Sequence, residues 1–258
     1  MNNKYNLKKY IIILLILIIV FLVIYYNFKK DDSIVIKTPT NELIDDYNTQ
    51  NPLISLCYYS STKVVSGLND VAWLKLNTQG DIAKGEFDYI SAEKDSKVGL
   101  FEGIIKKDDT QDQYSYANVW WNSKAEGMEN REELIIKYNE TTATAGFGEM
   151  IEGKGGVYLY KDKENLYYID PMAKIACDDL SEKLFVEKYI KDNIKSIAKM
   201  TEPVLGGSWY VVSVNVDSKQ NIARIVYEDG HIQNKAEVTY EYKNNSQSLV
   251  IIKFEIIP

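Results

Sequence analysis

The sequence predicts a mainly β protein: an N-terminal transmembrane helix, an antiparallel β-meander or barrel-like domain, then a small α+β domain of one helix plus a four-stranded antiparallel sheet. Three observations predict it. Residues 10–26, YIIILLILIIVFLVIYY, are an unbroken apolar run. Short segments of alternating apolar and polar residues, separated by turn residues, recur from 53 to 178. Residues 179–200 change to a period near 3.6, and four more alternating segments follow.

The run at 10–26 holds no charge, Gly, Pro or Asn. As a helix it rises about 25 Å, the short end of a hydrocarbon core. Tyr10, Tyr25 and Tyr26 sit at its ends, where amphipathic rings favour the interface. Lys4, Lys8 and Lys9 precede it, while Lys29 and Lys30 behind it are offset by Asp31 and Asp32. This bias puts residues 1–9 in the cytoplasm and the remainder outside. Signal-peptide cleavage wants small residues after the run, and Tyr25-Tyr26-Asn27-Phe28 supplies none. The expectation is an uncleaved single-pass anchor in the cell membrane, with extracytoplasmic C-terminal domains. Residues 27–52, polar and carrying Pro39 and Pro52, read as a linker.

From residue 31 onward the chain holds all 37 acidic residues and 25 of the 30 basic ones, a formal charge of −12. That charge excludes nucleic acid, whose affinity rests on phosphate neutralisation. It also opposes flat docking on an anionic lipid surface. His231 is the only histidine, so a His-rich metal centre is excluded, and no cofactor motif is present. Cys57 and Cys177 are disulfide candidates if the compartment is oxidising. A loop of that length is worth about 4–5 kcal/mol in the chain-entropy picture. The alternative is two separate buried thiols.

Residues 53–178 carry the barrel-like domain. Over 81–90, Ala83, Gly85, Phe87 and Tyr89 fall on one face, and Lys84, Glu86 and Asp88 on the other. Over 98–107, Gly99, Phe101, Gly103 and Ile105 repeat the pattern. Further strands are expected at 56–60, 71–77, 114–122, 133–139, 142–150, 157–160 and 166–169. Glycines alternating with aromatics suit strong curvature, and closure into an up-and-down barrel removes exposed edges. A sandwich is the alternative. Residues 179–258 form the α+β domain. Leu184, Val186, Tyr189, Ile190, Ile194, Ile197 and Met200 give a helical stripe, and Asp179 with Glu182 is a possible capping box. The sheet follows at 208–216, 222–227, 236–243 and 249–256, with Asp229-Gly230 and Asn244-Asn245-Ser246 as turns.

Several positions invite a functional reading. Trp120 and Trp121 are adjacent on a strand and must face opposite ways, so only one enters a barrel interior. The other is either a stacking platform for a sugar or a partner, or is covered by the linker or second domain. Glu126 lies just beyond. Glu93 and Asp95 form a potential acid/base pair, or simply a solvated hairpin loop. Residues 146–150, GFGEM, lack the Lys and Ser/Thr of a phosphate loop and read better as strand curvature. His231 stands beside Glu228 and Asp229 with no nucleophile in view, which reads as a polar turn.

Several strings also form a familiar set: Cys57-Tyr58-Tyr59, Trp73-Leu74-Lys75-Leu76, Phe101-Glu102-Gly103, Val119-Trp120-Trp121 with Ala125-Glu126-Gly127-Met128, Gly206-Gly207-Ser208-Trp209-Tyr210 and Tyr227-Glu228-Asp229-Gly230-His231. With these the chain resembles a group of uncharacterised bacterial envelope proteins, membrane-anchored or lipoprotein, that have no assigned activity. The resemblance implies a bacterial, extracytoplasmic protein and brings no catalytic residue with it.

The expectation is a membrane-tethered binding or interaction protein of the cell envelope. It would touch the membrane through residues 10–26 and an envelope protein or glycan through its outer domains. Trp120, Trp121 and Glu126 are the binding candidates. No catalytic set converges, which favours binding over catalysis. The alternatives are a hydrolase using carboxylates such as Glu93, Asp95, Glu126 or Glu149, and a small-ligand carrier using a barrel cavity.

Overall fold

A computed structural model describes residues 51–65, 68–92, 95–107, 113–198 and 207–258. The anchor at 10–26, most of the linker, and Glu93 lie outside the described residues. Among those described, no helix is long and apolar enough to cross a membrane.

Eight strands close an antiparallel barrel. They are β1 (Ile54–Lys63), β2 (Asn69–Gln79), β3 (Ile82–Ile90), β4 (Lys97–Lys107), β5 (Ser115–Ala125), β6 (Met128–Tyr138), β7 (Thr142–Phe147) and β11 (Met172–Ile175). The first seven follow one another as a meander. Short β11 then lies between β7 and β1, pairing Met172 with Ala143 and Ile175 with Cys57, and so removes both edges. Between β7 and β11 run β8 (Met150–Glu152), β9 (Val157–Tyr160) and β10 (Tyr167–Tyr168). β8 and β9 form a hairpin whose β9 joins β6 in parallel, and β10 pairs with β7.

The period of two sorts every barrel strand into an inner and an outer row. Leu74, Leu76, Ala83, Phe87, Phe101, Trp121, Leu134 and Ile136 point inward and pack together. Two inward glycines are forced by close approach. A Cβ on Gly85 would stand 1.9 Å from the Lys75 carbonyl oxygen, and one on Gly99 2.0 Å from that of Asn122.

Helix α1 (Cys177–Ile197) leaves β11 and carries the second sheet, β12 (Tyr210–Asp217), β13 (Ile222–Glu228), β14 (Gln233–Lys243) and β15 (Ser248–Ile257), in that spatial order. Val186, Ile190 and Ile194 bury against Val214, Ala223, Ile225 and Val238 of this sheet. Near its start, the helix packs Leu180 on the outer wall of the barrel against Cys57, Val71 and Trp73. The Lys183 amine donates to the Val216 carbonyl and lies 5.3 Å from the Tyr59 ring centre, so it reaches β12 and β1 together.

The helix begins two residues before the expected capping box. Its N-cap is Ala176, which makes no side-chain cap. Glu182 accepts the Tyr240 hydroxyl at 2.8 Å. Asp178 and Asp179 in the first turn suit the positive end of the helix dipole. The start is fixed by covalent chemistry instead: Cys177, the first helical residue, is bonded to Cys57 on β1, 120 residues earlier.

Replacing both cysteines by serine, or reducing the bond, should lower the unfolding free energy by about 4 kcal/mol. A denaturant titration of oxidised and reduced protein measures this. A loss below about 1 kcal/mol would mean that packing of Leu180 and Trp73 alone seats the helix.

Candidate functional site

Trp121 and Trp120 separate as strand geometry demands. Trp121 is fully buried in the barrel. Its indole N–H donates to the Gly99 carbonyl at 3.0 Å, and its ring lies 5.2 Å from Phe87 and 6.5 Å from Phe147. It is therefore a core residue with no face open to a ligand. Above it an inward polar cluster is held together: Lys97 meets Glu132 at 2.6 Å, Ser123 donates to the same carboxylate, and the Lys97 ammonium stands 5.3 Å from the Trp121 ring centre. Glu132 and Ser123 are both buried. Charge and hydrogen bonds are matched inside this cluster, which is the condition for burying a carboxylate.

Trp120 points outward and remains partly exposed, with the Arg131 guanidinium 5.5 Å from its ring centre. The register places it in one of two parallel rows that run across the strands on the outer wall. The first row is Asn77, Lys84, Glu102 and Trp120; the second is Lys75, Glu86, Leu100 and Asn122. Between them lies an open groove of about 520 Å³, floored by Gly85 and Phe101. The groove spans β2 to β5. Its walls balance in charge, two lysines against two glutamates. The Lys84–Glu102 pair is loose, 3.7 Å apart with both side chains more than half exposed. Such a pair contributes little to stability and exchanges partners readily. Leu100, 62% exposed, is the apolar group on the wall.

Two other surfaces hold titratable groups. Glu126 and Gly127 make the two-residue β5–β6 turn, both at positive φ (50° and 79°). The Glu126 carboxyl hydrogen-bonds to Asp95, which holds its pKa above the usual carboxylate range, but both side chains are exposed. The second surface is the barrel end, where Asp70 points inward. It accepts the Tyr89 hydroxyl at 3.0 Å and the Ala92 N–H at 2.7 Å. Burial first, then Asp70, pushes the Tyr89 phenol up to about 12. Asp70, Asp170, Tyr89 and Tyr167 line a cavity of about 90 Å³ there.

The remaining sequence candidates are structural. Asp229 accepts the backbone N–H groups of His231 and Ile232, which makes this a polar turn. Glu149 pairs with Lys161 on the surface at 2.9 Å. The Gly146 carbonyl, in β7, accepts the Tyr160 hydroxyl at 2.6 Å. Among the described residues no group of three or more His, Cys, Asp or Glu could hold a metal ion.

The groove and Asp70 carry no motif. For Asp70 a signal existed: it shares parity with Ala72, Leu74 and Leu76, so it must point inward. For the groove, the outward residues of β2 to β5 were legible strand by strand, but their alignment into rows needed the register.

Asp88, outward beside Trp73, has its pKa raised to about 7, first by burial and then by Glu86, against a Gly99 N–H that favours the charged form. Raising a carboxyl pKa on folding makes the fold bind its proton more tightly than the unfolded chain does. This contribution is therefore most favourable below about pH 4 and is lost as pH rises towards 7. Asp88→Asn should gain stability relative to the parent across that window and hold a constant gain above it, as read by thermal melts at several pH values. In the core, Trp121→Ala should cost about 3–5 kcal/mol and Trp120→Ala less than about 1. Lys97→Met, leaving Glu132 buried without its partner, should cost about 3 kcal/mol and the Lys97→Met/Glu132→Leu pair clearly less. Denaturant titrations measure all four variants. In comparison with known proteins, no family model, curated protein or solved structure matches this chain.

Proposed function

We propose that this chain is a membrane-tethered, extracytoplasmic binding protein of a bacterial cell envelope, held by residues 10–26 and presenting its barrel outside the cell. The observation that carries the reading is a barrel filled at its centre and grooved without. Trp121, Phe87, Phe101 and their neighbours pack together there, which argues against a carrier's cargo at that level. An exposed groove lined by two lysines and two glutamates opens on the barrel wall. The Cys57–Cys177 disulfide supports an oxidising compartment, and with it the outward orientation. The likeness to bacterial envelope proteins points the same way.

A hydrolase is the second reading, and the touching carboxyls of Asp95 and Glu126 favour it. Their exposure argues against it, since a catalytic pair needs groups that exclude water and position a substrate.

Location is tested in intact cells carrying the full chain with a C-terminal epitope. The expected result is an oxidised Cys57–Cys177 pair and loss of the epitope to protease added outside. Two free thiols with a protected epitope would overturn the extracytoplasmic reading.

A further inference from the structure

We infer that β15 is the interface with a second copy of this chain: two β15 strands run antiparallel about a two-fold axis through Phe254, and the two four-stranded sheets become one of eight. Three observations carry the inference.

The first is an open edge. β15 is the last strand of its sheet, and among the described residues no strand pairs with its outer side. Such a strand presents a row of unpaired N–H and C=O groups, which proteins commonly blunt with proline, inward charges or cover. Here Val250, Ile252 and Ile256 stand exposed on it instead, Ile256 by 64%. The opposite edge is guarded. β12 carries a bulge between Val211 and Ser213, and the Lys183 amine of α1 donates to its Val216 carbonyl. Pairing through β15 alone closes on a dimer, whereas pairing β15 with β12 would run on as a filament.

The second is charge. On the outer face the register sets Arg224, Glu237 and Glu255 side by side on β13, β14 and β15. Arg224 meets Glu237 at 3.2 Å. Glu255 therefore faces a like charge across the ladder, which is unfavourable. Lys253 of its own strand answers it from 2.6 Å, and both side chains of that pair are more than half exposed. A further cation on the open side of Glu255 would complete the row, and a second β15 brings one.

The third is register. Opposite residues of an antiparallel pair share a face, so a two-fold axis perpendicular to the sheet must pass through a residue. An axis at Lys253 sets lysine against lysine, and one at Glu255 sets glutamate against glutamate. The axis at Phe254 sets each Lys253 against the partner's Glu255, which makes two charge pairs. It also sets the exposed Ile256 opposite the partner's Ile252. The strand added there borders a groove of about 640 Å³ between Tyr189 and Ile197 of α1 and Leu249 and Ile251 of β15. An unrelated extended segment would satisfy the open backbone equally well. It would need a cation and an anion at this same spacing, which the second copy carries by symmetry.

The test uses membranes from cells that express two differently tagged full chains, one Lys253→Cys and the other Glu255→Cys. Opposite residues have Cα atoms about 4.5–5.5 Å apart, within disulfide reach, and this mixture keeps one of the two charge pairs. The native cysteines are already bonded to each other. Mild oxidation should give a mixed disulfide dimer. Either variant alone holds its cysteines two residues out of register and should cross-link at least about tenfold more slowly. Sedimentation of the full chain in detergent reads the charge pairs. Lys253→Glu should weaken dimerisation about tenfold, and Lys253→Glu/Glu255→Lys should return it to within about twofold of the parent. Both positions are exposed, and circular dichroism confirms that each variant folds. The absence of a mixed disulfide, or self-cross-linking of one variant as fast as the mixture, would overturn the inference. A dimer indifferent to Lys253→Glu would place the contact elsewhere and overturn it too. A disulfide to a different protein at these positions would overturn the second copy as the occupant of this edge.

Discussion

The barrel closes through a strand of four residues, and most of the structure depends on that closure. A seven-strand meander leaves β1 and β7 as open edges, and edges of that length invite pairing with other chains. β11 sits between them and satisfies both. It also sets where the chain goes next. Ile175 is paired with Cys57, so two residues later Cys177 is already beside its partner when α1 begins. The disulfide thus needs no long search in the native state. It stabilises chiefly by restricting the unfolded chain. Leu180 then lands on Trp73 and Val71, and Lys183 reaches from β1 to β12. Thus the pairing of β11 leads directly to the seating of the helix, and through the helix to the second sheet.

Closure also dictates where a ligand can bind. An eight-stranded barrel has an interior just wide enough for side chains or one small molecule. Here Phe87, Phe101, Trp121 and Tyr58 fill it. Gly85 and Gly99 let the strands approach closely enough for the walls to pack around those rings. The bulk that closes the interior leaves the outer row free to vary. On that row the polar residues of β2 to β5 line up because the register of three successive hairpins aligns them.

Much of this was legible in the sequence. The inner and outer faces of β3 and β4 follow from alternation alone, as do the four-stranded sheet and the helical stripe that packs on it. The separation of Trp120 from Trp121 also needed only the period of two. β11 was not legible. Met172-Ala173-Lys174-Ile175 is too short to show a period, and it follows Pro171, which reads as a loop. The first half of β6 was hidden for a different reason. Asn130 and Glu132 sit at inward positions where alternation predicts apolar residues, and they are tolerated because Lys97 and Ser123 meet the carboxylate. The helix start was displaced for a third reason. A capping box is worth about 1 kcal/mol, less than the disulfide that begins the helix at Cys177. The groove rows were invisible because they are a property of register, which the individual strands do not encode.

The charge of the chain and the charge of its groove need separate treatment. From residue 31 onward the chain carries a formal −12, which repels anionic polymers at a distance. Screening confines such fields to about 8–10 Å in salt, so at contact range the groove's own residues decide. There two lysines meet two glutamates. A cationic ligand gains from the body of the protein but meets Lys75 and Lys84 in the groove. An anionic ligand is opposed by the body before it arrives.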